Sequence, residues 1–155
     1  MPAASDHAQV LLPAPFVYAG FLLVALLLHL VLPLPAPLLN VVRGLGAVAI
    51  ALGLFLGAFA VWRMMQMHTP VSPHRPATTL VTDGPYRLTR NPIYLGFFLV
   101  FLGFTFLAGT LWGLVLSPLV PITVNYLIIG AEEAYLQARF NGQYTQYKSR
   151  VRKWL

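Results

Sequence analysis

Hydrophobic and polar positions divide this chain into four apolar segments, one long polar loop and a polar carboxyl-terminal region. The apolar segments cover residues 14–32, 39–62, 92–108 and 111–129. A bilayer core of about 30 Å needs roughly 20 apolar residues for one helical crossing. The pattern therefore predicts an all-α integral membrane protein with four transmembrane helices in a single domain, residues 1–155, followed by amphipathic cytosolic helices.

The last two apolar segments are predicted to form a tight helical hairpin. A single helix from Ile93 to Ile129 would be about 55 Å long, which is nearly twice the hydrocarbon thickness, so a turn is expected near Gly109. Pro118 and Pro121 are expected to kink the last span, because proline removes a helical hydrogen bond.

Two short patterns shape the first half of the chain. Three prolines in residues 33–37 predict an extended turn between the first two spans. In the second span, Gly53 and Gly57 form a G-x-x-x-G pair, which allows close helix contact. We interpret this pair as a packing feature.

Composition supports a membrane location, because 58% of the residues are hydrophobic and only 9% are charged, against roughly 25% charged residues in soluble domains. The net charge of +6 lies beside the apolar segments and near the carboxyl end, which fits anionic lipid headgroups better than nucleic acid. The absence of cysteine excludes disulfides and thiolate chemistry. By the positive-inside rule, both termini and the loop 63–91 are predicted to be cytoplasmic, in a bacterial inner membrane.

The end of the polar loop, residues 82–96, has the residues of a shaped structure. Asp83-Gly84-Pro85 predicts a turn, and Pro92 can begin the next helix at its first position. Arg87 and Arg90 offer cations that suit a carboxylate or phosphate. Charge alone also fits simple anchoring at the membrane face.

The carboxyl-terminal region, residues 131–151, carries one apolar helical face. Its members recur at helical spacing: Leu136, Phe140, Tyr144, Tyr147 and Val151. Asn141-Gly142 predicts a helix end within this stripe. A cationic amphipathic helix on the membrane surface is the default interpretation.

Glu132 and Glu133 make up half of the four acidic residues in the protein. Acidic side chains favour a helix amino terminus through the helix dipole. Because adjacent helical residues point about 100° apart, one of the two could instead face a pocket.

Several motifs together resemble the isoprenylcysteine carboxyl methyltransferase family and the related phospholipid methyltransferases. They are Gly84-Pro85-Tyr86-Arg87, Arg90-Asn91-Pro92-Ile93-Tyr94-Leu95-Gly96, Glu132-Glu133, and Phe140-Asn141-Gly142-Gln143-Tyr144 with Tyr147. The resemblance covers roughly residues 64 to 155. It implies an integral-membrane enzyme that binds S-adenosyl-L-methionine at the cytosolic face, between the loop and the carboxyl-terminal helices.

The resemblance also implies the site residues. The cofactor-binding set is Gly84, Pro85, Tyr86, Arg87, Arg90, Asn91, Pro92, Tyr94, Gly96, Glu132, Glu133 and Tyr144, and the catalytic set is Arg90, Asn91 and Glu133. Tyrosine faces would meet the sulfonium, a glutamate the ammonium or ribose, and an arginine the carboxylate. The family often has histidine at the position of Asn91, and asparagine cannot titrate near neutral pH.

The implied reaction is methyl transfer to a lipophilic acceptor, which requires no metal and no covalent nucleophile. An isoprenylcysteine-like carboxylate, a lipid amine and another small hydrophobic molecule all remain open as acceptors. The sequence offers no convincing general base, which favours an acceptor that is already deprotonated. The expected partners are this acceptor and membrane lipids.

Two other functions remain open. Membrane sterol reductases look similar over the same carboxyl-terminal region, and a reductase of that type would use NADPH. A non-enzymatic protein that packs against a partner through its glycine-rich second span is the other alternative.

Overall fold

A computed structural model describes residues 8, 10, 12–72 and 75–155 of the chain, so residues 73 and 74 of the predicted loop lie outside the described residues. The described part is built from helices. In chain order these are α1 (Ala14–Val31), α2 (Leu39–Gln66), a 3₁₀ turn (Gly84–Arg87), α3 (Pro92–Leu107), α4 (Trp112–Leu116), α5 (Leu119–Val124), a π-helical turn (Asn125–Ile129) and α6 (Gly130–Arg150).

Helices α1 and α2 are long and apolar enough to cross a membrane, and α3 is a shorter apolar helix. Only 22% of α1's apolar stretch and 17% of α2's are buried within the protein. Large apolar side chains therefore face outward, among them Leu30 and Phe55. Such a surface needs an apolar solvent, since contiguous exposed apolar area is rare on soluble monomers.

Helix α2 extends beyond the predicted end at Trp62 and continues to Gln66. The polar loop thus begins after Gln66 and not at Arg63 as predicted. The side chain of Arg63 forms an ion pair with Asp83 and donates a 2.7 Å hydrogen bond to Gln66. These contacts hold the start of the 3₁₀ turn against the last turn of α2.

The predicted last span, residues 111–129, is not one continuous α-helix. Helix α4 ends at Leu116, α5 begins after Pro118, and the turn from Asn125 to Ile129 is π-helical. The helix is interrupted at Pro118, where a kink was expected, because proline cannot donate the hydrogen bond that would continue the helix. The other proline expected to kink this span, Pro121, lies within α5.

Helices α2 and α3 pack antiparallel through glycines. A Cβ added at Gly53 would lie 2.6 Å from the carbonyl oxygen of Gly96, and one added at Gly103 would lie 2.7 Å from that of Gly46. The packing interpretation is therefore confirmed for Gly53. A Cβ at Gly57 would meet nothing within 4 Å, so only the backbone of Gly57 takes part in the contact.

The turn between α1 and α2 and the turn between α3 and α4 form hydrogen bonds with each other. Gly109 turns the chain with φ of 75°, as predicted for the hairpin. Its carbonyl accepts a 2.9 Å hydrogen bond from the Ala36 N–H, and the Leu111 N–H donates to the carbonyl of Leu34 at 3.0 Å. The proline-rich turn is thus extended and tied to the hairpin turn.

Helix α6 bends at Asn141, whose φ of 38° and ψ of −109° are not helical. This agrees with the predicted interruption at Asn141-Gly142. The apolar stripe of α6 packs against Ala60, Val81 and Tyr86 in one core cluster. The stripe is therefore covered by the protein's own loop and α2, and the default of a helix lying with this face on the membrane surface was wrong.

Candidate active site

A cavity lies where the polar loop, the start of α3 and helix α6 meet. It contains about 930 Å³ of space free of protein atoms, its open mouth included. Predicted site residues that line it are Tyr86, Arg90, Asn91, Pro92, Tyr94, Glu132, Glu133 and Tyr144. Residues that are far apart in the sequence thus line the same cavity.

Four predicted site residues do not line this cavity: Gly84, Pro85, Arg87 and Gly96. Gly84 adopts a φ of 58° and faces Phe59 and Arg63 of α2. Arg87 is the last residue of the 3₁₀ turn and is exposed. Gly96 lies in the contact with α2, where an added Cβ would come within 2.7 Å of the Gly53 carbonyl oxygen. These residues shape the loop and the helix pair around the cavity.

Arg90 is a buried cation whose hydrogen-bonding capacity is only partly used. Its side chain is 8% exposed, and Nη2 lies 3.2 Å from Oε1 of Glu133. Within the described part of the chain, Arg90 Nε and Nη1 are buried and make no well-formed hydrogen bond, although the guanidinium lies close enough to the Tyr144 hydroxyl to oppose the rise in the pKa of that tyrosine. Unsatisfied buried donors of a charged group are costly, so this fork is suited to an anion entering the cavity.

Glu132 is a partly buried acid, and no cation of the described residues forms an ion pair with it. Its Oε1 accepts a 2.5 Å hydrogen bond from the Tyr94 hydroxyl. Burial is the main cause that raises the pKa of Glu132 to about 7; the Tyr94 hydrogen bond opposes this shift and the neighbouring charge of Glu133 adds to it. Adjacent glutamates thus have different surroundings, since Glu133 is paired with cations.

Asn91 is tied to the segment that follows α6. Its Nδ2 donates a 3.0 Å hydrogen bond to the carbonyl of Lys153, and the residue is only 8% exposed. The amide group therefore holds two chain segments together at the cavity wall, a role that histidine could fill only through a ring N–H donor.

Tyr86, Tyr144 and Tyr147 of the cavity stay neutral. The Tyr147 hydroxyl donates a 2.7 Å hydrogen bond to the Tyr86 carbonyl. Burial raises the pKa of both residues above the usual tyrosine range and raises that of Tyr144 to about 12. Neutral aromatic faces and hydroxyl donors are therefore present across the pH range in which proteins function.

Sequence reasoning missed Lys153. Its Nζ lies 2.9 Å from Oε2 of Glu133 and donates a 2.7 Å hydrogen bond to Oδ1 of Asn125. The residue was one of several cations near the carboxyl end, and each of them was equally compatible with lipid anchoring. Lys153 differs from these other cations only because the chain returns from α6 to the loop and brings its side chain next to Glu133.

We expect Glu132→Gln to raise the melting temperature of the apoprotein by several degrees above pH 7. The folded-state pKa of about 7 lies above the ordinary value of 4.5, so the folded protein loses stability as pH rises from 4.5 through 7. Glutamine avoids this loss and still accepts the Tyr94 hydrogen bond. Thermal unfolding in detergent at pH 8 and pH 4.5 measures the effect, which should vanish at the lower pH.

Glu133→Gln is the matched control, because it makes the same change one residue away. It removes the partner of Arg90 and Lys153 and should therefore lower the melting temperature at pH 8. Equal shifts in the two variants would contradict the different environments assigned to the two glutamates.

Comparisons with known proteins place the sequence in a family. The profile of the phospholipid methyltransferase family matches residues 41–143. The chain is 36% identical over 104 residues to protein-S-isoprenylcysteine O-methyltransferase of Schizosaccharomyces pombe, a match that covers 66% of this chain and 44% of the yeast protein. It is also 36% identical over 66 residues to an uncharacterized protein of Haemophilus influenzae, covering 41% of this chain and all of that protein.

No solved structure matches the chain. The family profile spans most of α2, the cavity loop, α3 to α5 and the first half of α6, and so includes the cavity residues from Tyr86 to Glu133. We conclude that the chain belongs to the phospholipid methyltransferase family, a family of membrane methyltransferases that use S-adenosylmethionine.

Proposed function

We propose that this protein is an integral-membrane methyltransferase that binds S-adenosyl-L-methionine in the cavity and methylates a lipophilic acceptor. Family membership supports the reaction class. The chain spans 44% of the length of the S. pombe relative, so the activity in that relative's name is a guide to the chemistry and not to the acceptor itself.

The main observation behind the proposal is that a cation and an acid in the same cavity both have unused capacity to bind a ligand. Within the described residues, Arg90 presents two buried donors without a well-formed hydrogen bond, and the partly buried carboxylate of Glu132 forms no ion pair. An α-amino-acid group supplies a carboxylate and an ammonium together, so it complements both. The methionine part of the cofactor carries such a group.

When bound, S-adenosylmethionine supplies an electrophilic methyl group on a sulfonium sulfur. Arg90 would hold the carboxylate, Glu132 the ammonium, and Tyr86, Tyr94 and Tyr144 would offer neutral aromatic surface to the sulfonium. Glu133 would act on the cofactor through Arg90, because Lys153 takes its second oxygen. The protein would therefore balance the charges of the cofactor and align the methyl group with the acceptor, bringing the reacting atoms within about 3 to 3.5 Å.

The proposed topology has four crossings: α1, α2, α3, and the α4–α5 segment with its π-helical turn. The loop after α2 and helix α6 then share the cytoplasmic side with both ends of the chain, in a bacterial inner membrane. Arg43 lies at the opposite end, where its Nε donates a 3.2 Å hydrogen bond to the carbonyl of Leu107. The excess of cations on the cavity side supports this orientation.

The acceptor is proposed to be a lipophilic molecule whose nucleophilic atom is already deprotonated, as a carboxylate is. An amine acceptor would have to lose a proton. Glu132 has a pKa near neutrality, but in this proposal it balances the cofactor's ammonium and is not available as a base. Membrane lipids surround the outward-facing apolar surface.

Calorimetric titration of the purified full-length protein with S-adenosylhomocysteine tests the proposal. We expect saturable binding near pH 8 that weakens as pH falls below about 7, because protonated Glu132 no longer balances the ammonium. In Glu132→Gln the affinity should be low and independent of pH over this range. Absence of binding by the unmodified protein would refute the proposed function.

NADPH serves as the matched alternative ligand. A ligand that binds only the folded state raises the melting temperature, so stabilisation by NADPH without stabilisation by S-adenosylhomocysteine would favour the reductase. Stabilisation by neither ligand would favour the non-enzymatic packing protein.

A further inference from the structure

Residues 151–155, which follow α6 and are called here the terminal segment, run back along the wall of the cavity. The Arg90 N–H donates a 2.9 Å hydrogen bond to the carbonyl of Arg152. Thr89 Oγ1 donates to the carbonyl of Lys153 at 2.8 Å, and Asn91 Nδ2 donates to the same oxygen at 3.0 Å. Because backbone carbonyls accept these hydrogen bonds, the side chain of Lys153 takes no part in them and can make contacts of its own.

The Lys153 side chain pairs with one oxygen of the Glu133 carboxylate, and Arg90 pairs with the other. Lys153 Nζ lies 2.9 Å from Glu133 Oε2, while Arg90 Nη2 lies 3.2 Å from Glu133 Oε1. Glu133 is thus divided between two cations, one oxygen to each. Asn91 and Glu133 face the cavity, but Lys153 does not line it.

This division explains why part of Arg90 is unpaired. A carboxylate normally pairs with guanidinium through both oxygens at once. With Oε2 held by Lys153, Glu133 approaches Arg90 with Oε1 alone, which lies 3.2 Å from Nη2 as an ion pair and forms no hydrogen bond. Within the described residues, Nε and Nη1 of Arg90 are left buried without a well-formed hydrogen bond.

We infer that Lys153 is a positioning residue: by holding Glu133 through one oxygen, it keeps two donors of Arg90 available to the carboxylate of the cofactor's amino-acid group. The inference rests on the proposed function. Without Lys153, Glu133 turns both oxygens to Arg90 and competes with the ligand. Asn125 fixes the Lys153 ammonium from the other side, through a 2.7 Å hydrogen bond.

Lys153→Met tests this role in the full-length protein, with two ligands measured by calorimetry. S-adenosylhomocysteine carries the amino-acid group, and 5′-methylthioadenosine lacks it. We expect roughly tenfold weaker binding of S-adenosylhomocysteine, the effect of losing one charge-assisted hydrogen bond, with 5′-methylthioadenosine unchanged. Lys153→Arg should restore most of the affinity because it keeps the charge.

Arg152→Met is the matched control, because it removes the same charge from the neighbouring, exposed residue and leaves the carbonyl that Arg90 uses. It should bind both ligands like the unmodified protein. In a Glu133→Gln background, Lys153→Met should cause no further loss, since the competing carboxylate is gone.

Equal weakening of both ligands by Lys153→Met would indicate a general structural role and overturn the inference, as would no weakening at all. If Lys153→Met does not fold, the same comparison is made with Lys153→Gln, which retains a donor for Asn125. Failure of the unmodified protein to bind S-adenosylhomocysteine would instead overturn the proposed function, and this inference with it.

Discussion

Arg90→Ala is expected to weaken S-adenosylhomocysteine binding by roughly 100-fold, the combined effect of two charge-assisted hydrogen bonds. The side chain is 8% exposed, and its Nε and Nη1 are the unpaired buried donors that an entering carboxylate would meet. Calorimetric titration measures the loss. Thermal unfolding measured in parallel shows whether the variant is folded.

Two substitutions sharpen this experiment. Arg90→Lys retains the charge but not the planar fork, so an intermediate affinity is expected. Arg87→Ala removes an exposed arginine three positions earlier that does not line the cavity, and it should leave affinity unchanged. Equal losses at Arg87 and Arg90 would show that general positive charge, and not the buried fork, attracts the ligand.

Gly53→Ala is expected to destabilise the folded protein by about 1–3 kcal/mol, the usual cost of overpacking. The new Cβ would lie 2.6 Å from the Gly96 carbonyl oxygen and 2.9 Å from Val100 Cγ2. Relief requires α2 and α3 to separate, because the obstructing oxygen belongs to backbone. Reversible unfolding in mixed detergent measures the change in the free energy of unfolding.

Gly57→Ala provides a control from the same G-x-x-x-G pair. Its Cβ would meet nothing within 4 Å, and alanine has the higher helix propensity, so stability should be unchanged or slightly increased. Destabilisation of both variants to the same extent would mean that the two glycines pack equivalently. That result would contradict the helix contact described above.

Sequence patterns predicted most of the fold because each depends on local chemistry. The length of the apolar segments predicted where α1 and α2 lie, proline restrictions predicted the start of α3 and the break near Pro118, and Gly109 predicted the hairpin turn. Boundaries were less accurate where a polar residue continues a helix. Arg63 remains helical because Asp83, a distant residue, pairs with it.

The candidate site could be predicted only in part. Arg90, Asn91, Glu132 and Glu133 do line one cavity, as the resemblance implied. Arg87 was predicted to bind the cofactor together with Arg90, but it is exposed and does not line the cavity. Gly84 and Gly96 belong to the same motifs, but their contacts are with α2.

The sequence by itself determined that the chain is helical, apolar enough for a membrane, and equipped with cations and acids that suit a charged cofactor. These properties follow from composition and from short-range periodicity, which need no knowledge of distant contacts. Tertiary structure alone decided which acid is paired and which is not. Glu132 and Glu133 are neighbours with identical chemistry, and they differ because α6 turns Glu133 toward Arg90 and Lys153 and buries Glu132 beside Tyr94.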